Sequence, residues 1–131
     1  MSPAPLRILG LDPGLRKTGW GVIRVEGNRL SHLGHGVIAP NEKAPFSERL
    51  LALFDGISAV VADWTPDEAA IEETFMNTNA ASALKLGHAR AAALLAPAKA
   101  GLPVRSTRRG WRFSLAEATI AIAIQNPFAA G

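Results

Sequence analysis

An α/β domain built on a mixed five-stranded sheet flanked by helices is the fold class that the sequence predicts. Three observations carry the prediction. Strand-length apolar runs bounded by Gly, Pro and Asn fill the first 38 residues, one long stretch then repeats apolar residues at spacings of three and four, and a short acidic–apolar–acidic run separates that stretch from a second, Ala/Leu-rich one. The chain has 131 residues, 48% of them hydrophobic, which is the size of one ordinary domain with a real core.

The elements follow in order. "PLRILGLD" reads as a buried strand because Leu6, Ile8, Leu9 and Leu11 form a short apolar run ended by Pro13-Gly14. "TGWGVIRVEGNRLSHLGHGVI" reads as a hairpin: Val22, Ile23 and Val25 lead to Gly27-Asn28, residues that tolerate positive φ, and Leu30, Leu33, Val37 and Ile38 follow. These three strands are expected to form one antiparallel meander. Phe46, Leu50, Leu53, Phe54, Ile57, Val61 and Trp64 recur at helical spacing, so a helix is expected from Phe46 to Trp64, stopped by Pro66. "DEAAIEETF" suits a short central strand with Ala69 to Ile71 in the core and Glu72 near its end. "NAASALKLGHARAAALLAPAK" is a second helix with Pro97 near its end, and "GLPV" (101–104) is the fifth strand candidate. The order βββαβαβ is that of the ribonuclease H-like fold, though the pattern alone leaves other α/β folds open.

Composition narrows the function classes. Cysteine is absent, which excludes disulfides, thiolate metal sites and thiol nucleophiles. No apolar run reaches membrane-spanning length and no signal-peptide layout is present, so a soluble, cytoplasmic protein is expected. The net charge of +3 is unevenly spread: residues 1–104 carry 10 Lys+Arg against 10 Asp+Glu, whereas residues after 104 carry Arg105, Arg108, Arg109 and Arg112 against Glu117 alone. A basic tail of this kind suits phosphate contacts as well as plain solvation.

The chemistry concentrates in "RILGLDPGLRKTGWGVI", where an apolar strand delivers one carboxylate, Asp12, into a turn. If the strand ending near Glu72 lies beside it, two carboxylates converge at one sheet edge, where a divalent cation would supply the missing counter-charge. Mg²⁺, or Mn²⁺ in its place, takes hard oxygen ligands and suits phosphodiester hydrolysis through a pair of ions. The structural alternative is that Asp12 caps its own turn and Glu72 is a surface residue. Arg16 and Lys17, in the turn beside Asp12, are phosphate candidates. Lys85 and Arg90 lie on the second helix, either reaching a phosphate backbone or lining a solvated face. Asn77 and Asn79 either contact sugar and phosphate or shape the loop and cap that helix. His88 reads as structural, and Trp20, Trp64 and Trp111 as core or interface anchors.

"ILGLDPGLRKTGWGVI", "DEAAIEETFMNTNAASALKLGHARAAALL" and "AGLPV" resemble, in order and spacing, the RuvC family of Holliday-junction resolvases, over residues 6 to 104. "LGLDPG" is shared with other nucleases of the fold and faintly with actin-like ATPases, whereas "IEETFMNTNAASALKLGHARA" is highly specific. The resemblance implies a metal-dependent endonuclease that cuts four-way DNA junctions symmetrically as a homodimer, partnered by a branch-migration helicase, with Asp12 and Glu72 as catalytic and metal-binding carboxylates. It also implies that Phe75 inserts against unstacked bases, where stacking is worth about 1–3 kcal/mol per base. The alternative role for Phe75 is an ordinary core side chain. Glu73 falls where the family is not fixed as acidic.

After residue 104 the resemblance stops. The family continues with a segment like "AEYAP" and later an acidic motif resembling "DAADALAIAI" that brings the remaining carboxylates; here the chain reads "RSTRRGWRFSLAEATIAIAIQNPFAAG" and offers only Glu117. Residues 105–112 can be encoded by CGG AGT ACG CGC CGC GGG TGG AGA, and one G placed before that string makes it read AEYAPRVE. The expectation is therefore a nuclease domain over 1–104, a divergent basic tail over 105–131 produced by a frame change, and an incomplete C-terminal part of the fold. The competing readings are a catalytically impaired junction-binding remnant and an RNA-processing nuclease of the same fold. An actin-like ATP-binding domain is weaker still, since it requires two such domains.

Overall fold

The computed structural model describes residues 4–73 and 79–108. Five strands and two helices follow one another as β1 (Leu6–Asp12), β2 (Thr18–Glu26), β3 (Arg29–Ile38), α1 (Phe46–Trp64), β4 (Glu68–Glu73), α2 (Ala80–Lys99) and β5 (Val104–Arg108). They form one mixed sheet in the order β3-β2-β1-β4-β5. β1, β2 and β3 are the antiparallel meander read from the sequence, while β4 lies parallel to both β1 and β5.

The β2–β3 turn is the two-residue loop Gly27-Asn28, with Gly27 at φ 60°. Glycine at the first central position matches the twist of the flanking strands. The α1 boundaries coincide with the periodic stretch. Its end is stabilised from a distance: Arg7 Nη1 donates to Trp64 O at 2.7 Å, placing a cation at the negative end of the helix. Beside it Arg7 N donates to Asp67 Oδ2 and Asp67 N to Arg7 O, both at 2.8 Å, fastening the start of β4 to β1.

Both helices pack on the sheet face that carries Leu9, Leu11, Val22, Ala69 and Ile71. From α1 come Leu53, Ile57 and Val60; from α2 come Ala89, Ala92, Ala93 and Ala96, small side chains that let this helix approach closely. Trp20 and Trp64 pack against this core with ring centroids 6.2 Å apart, as the anchor reading expected. They fit because β3 has glycine beneath them: a Cβ at Gly34 would stand 2.5 Å from the Trp64 ring.

The fifth strand begins where the expected segment ends. Gly101 (φ 85°) closes α2, with its N–H on Ala98 O and the Leu102 N–H on Pro97 O, so residues 101–102 are committed to the helix terminus. Pro103 has no N–H to give a ladder. Pairing therefore starts at Val104, opposite Ala69, and runs on to Arg108.

Candidate active site

The site is built on the carboxyl end of β1. The parallel register pairs Leu9 with Ala69 and Leu11 with Ile71, and all four side chains are buried in the core. Asp12 and Glu72 are the next residues along their strands, so the backbone sets the two acids side by side on strands spaced about 4.8 Å apart. Sixty residues of sequence separate them; one sheet register brings them together.

Asp12 is half-buried, and this burial holds its carboxyl above the ordinary carboxylate value. No hydrogen bond or ion pair reaches that carboxyl among the described residues. Its backbone is fixed across β2 by pairing with Gly19. The turn that follows is tight: a Cβ on Gly14 would lie 2.5 Å from the Lys17 carbonyl oxygen, so only glycine fits there.

An open cleft of about 350 Å³ adjoins Asp12, lined by Gly14, Leu15, Arg16, Lys17, Gly19 and Val37. Arg16 and Lys17 are exposed on its rim. Arg16 Nε stands 3.8 Å from Glu42 Oε1, a solvated pair that leaves the guanidinium accessible. The far side of the turn is held by Arg49 of α1, which was not singled out from the sequence. Its Nη2 donates to Leu15 O at 3.1 Å, its guanidinium lies 5.9 Å from the Phe46 ring centre, and its Nε is buried with no hydrogen-bond partner among the described residues. The signal was available: Arg49 falls three residues after Phe46, on the stripe that the helix turns inward.

The remaining candidates are spread along α2 and the segment before it. Asn79 is the α2 N-cap, its Oδ1 accepting from Ala81 N at 2.9 Å and Ser82 N at 3.3 Å, so its carboxamide performs the capping alternative. Lys85 is exposed. Arg90 Nη2 donates to Ser106 Oγ at 3.0 Å and ties α2 to β5. His88 has the structural surroundings expected of it, with Nδ1 2.7 Å from Leu84 O and its ring edge-on to Phe46 at 5.8 Å. Phe75, Asn77, Trp111 and Glu117 lie outside the described residues.

Comparison with known proteins agrees with this arrangement. The family model for crossover junction endodeoxyribonuclease RuvC matches residues 8–109. A curated relative of that name from Caulobacter vibrioides is 70% identical over 100 residues, covering 76% of this chain and 59% of its own length. One from Maricaulis maris is 69% identical over 99 residues, covering 76% and 60%. The chain thus spans about 59% of the length of the curated relatives it matches. Among solved structures, T. thermophilus RuvC in complex with Holliday junction substrate superposes with a TM-score of 0.72 at 28% identity, over 80% of this chain and 66% of that one. The yeast mitochondrial Holliday junction resolvase, at 12% identity and TM-score 0.55 over 91% of this chain and 57% of that one, shares the fold. With the ribonuclease H-like sheet, the strand-end position of Asp12 beside Glu72 and a family match over residues 8–109, the chain belongs to the RuvC family.

Proposed function

We propose that the protein is a divalent-metal-dependent endonuclease that resolves four-way DNA junctions in recombination and repair, acting in the cytoplasm as a homodimer alongside a branch-migration helicase. One observation carries the reading: a half-buried carboxylate with no counter-charge among the described residues, Asp12, ends the strand beside that of Glu72, on the edge of a cleft rimmed by Arg16 and Lys17. The relatives' shared name supports the DNA-junction substrate over an RNA substrate.

The donor set fits Mg²⁺ or Mn²⁺. Both ions prefer carboxylate oxygen and water, and a desolvated carboxylate gains most from such a partner. Asp12 and Glu72 would hold the metal, two ions being the family expectation; among the described residues no three potential ligands cluster, and Glu117 is the further acid that the resemblance offers. Held by these carboxylates, a divalent ion would supply Lewis-acid polarisation of the scissile phosphate and a lowered pKa for the attacking water. Arg16 and Lys17 grip the flanking phosphates, which positions the backbone without reading sequence. Lys85 and Arg90 extend this basic track and Asn77 contacts the sugar-phosphate chain, while Phe75 stacks on a base unpaired at the crossover.

The second copy docks on α2. Leu84 and Leu95 are 65% and 60% exposed, and with Gly87 and Ala91 they form an apolar stripe at helical spacing on the side turned away from the core. A homodimer with this stripe at its centre presents two active sites related by a two-fold axis, as paired incision requires. Among the described residues no helix is long and apolar enough to cross a membrane.

The test uses a labelled synthetic junction in saturating Mg²⁺, with the chain as written, its Asp12→Asn and Glu117→Gln variants, and a version whose reading frame is restored after Val104. Asp12→Asn is expected to abolish incision while retaining junction binding. The frame-restored protein is expected to cut far faster than the chain as written, because two carboxylates neutralise a two-ion site poorly. Incision that survives Asp12→Asn overturns the assignment.

A further inference from the structure

In a regular strand, residues three apart point to opposite faces. His32 and His35 do not. β3 pairs Val22 with Gly34 but Ile23 with His32, so Leu33 is an extra residue, a bulge that shifts the alternation by one. Leu33 itself turns to the core, and the two histidines come to lie on the opposite face of the sheet, next to Ile23 and Gly21. Gly21, opposite His35, contributes no side chain to compete for the space. His35 Nδ1 and His32 Nε2 stand 3.1 Å apart, with ring centroids at 5.1 Å and planes tilted by 46°.

We propose that His32 and His35 form a two-imidazole site for a late first-row divalent ion such as Zn²⁺ or Cu²⁺, separate from the carboxylate site on β1. Two imidazole nitrogens each about 2.0–2.1 Å from one ion, at angles between square-planar and tetrahedral, are roughly 2.9–3.4 Å from each other. The observed 3.1 Å falls inside that span, so both nitrogens come within reach of a common ion that takes the place of the proton shared between them. Imidazole is the preferred neutral ligand of these metals, whereas Mg²⁺ prefers oxygen, so the two sites select different ions. His32 is exposed and His35 half-buried, which leaves an approach for the ion and for the waters that complete its shell.

The experiment titrates Cu²⁺ into the full chain in saturating Mg²⁺, following the visible absorption band and nitrogen hyperfine splitting in the electron paramagnetic resonance spectrum, with Zn²⁺ competition as a second readout. Wild type is expected to take up one equivalent with nitrogen ligation. His32→Ala and His35→Ala should each weaken uptake roughly tenfold or more, the scale on which metal sites respond to losing a supporting group. His88→Ala, in which the third histidine is removed, should leave it unchanged. Circular dichroism of each variant establishes that the sheet is intact. Uptake equal in wild type and the His32→Ala/His35→Ala double variant overturns the proposal and leaves the pair as a hydrogen bond only. Uptake lost in Asp12→Asn but retained in that double variant also overturns it, by moving the ion to the carboxylates.

Discussion

Gly14→Ala tests whether the turn after Asp12 positions the metal site. The new Cβ would meet the Lys17 carbonyl oxygen at 2.5 Å, and ordinary contact begins at 3.4 Å, so the turn must open by about 0.9 Å. The obstructing atom is backbone and cannot rotate away. Four residues, Gly14 to Lys17, take up the strain, and because Arg49 of α1 grips Leu15 O at 3.1 Å in the middle of that turn, part of it passes to Asp12, the last residue of the β1 ladder, opposite Gly19. Overpacking of this kind costs about 1–3 kcal/mol. For a chain of 131 residues each kcal/mol lowers the melting temperature by roughly 4 °C. The same displacement moves Asp12 relative to Glu72, and misplacement near 1 Å costs about a hundredfold where reacting groups must be aligned. The assay pairs thermal unfolding with calorimetric titration of Mn²⁺, and Gly27→Ala is the control because nothing lies within 4 Å of its Cβ and its strain at φ 60° is remote from the site. The expected result is reduced stability in both variants but weakened Mn²⁺ binding in Gly14→Ala alone. Wild-type Mn²⁺ affinity in a destabilised Gly14→Ala protein would refute the reasoning.

Three further outcomes are expected, the one at Phe75 resting on the family resemblance. Burial raises the folded-state pKa of Asp12, so the folded metal-free protein binds this proton more readily than the unfolded chain; stability is lost as pH rises through that window, and Asp12→Asn should raise the melting temperature in chelator at neutral pH, with the gain vanishing in acid. Adding Mg²⁺ should then stabilise wild type but not Asp12→Asn. Phe75→Ala should weaken binding to a four-way junction more than to linear duplex, measured by gel shift, since only the junction offers unstacked bases; equal losses would return Phe75 to the core. Gly87 sits within α2 with open space around its Cβ, so Gly87→Ala should stabilise the chain against urea by about 0.5–1 kcal/mol, yet weaken dimerisation in sedimentation if helices approach closely along this stripe.

Local pattern alone determined most of the elements, because helix and strand periods are written into which residues must be apolar. Phe46 to Trp64 repeats at three and four, and α1 has those ends. Gly27-Asn28 between apolar runs is the hairpin turn. Asp12 stood out as one charge ending a buried strand, and the family resemblance paired it with Glu72. Other features were decided only by tertiary structure, because they depend on residues distant in sequence. The register Leu11↔Ile71 that sets Asp12 beside Glu72 requires β4 to insert next to β1 rather than follow β3. Arg49 reads as one cation on a helix until the fold lays it against the Leu15 carbonyl. Asn79 had two available roles, and the start of α2 selected capping. His32 and His35 belong on opposite faces by strict alternation; the bulge at Leu33 places them together, and no count of residues along one strand foretells where its neighbour slips by one.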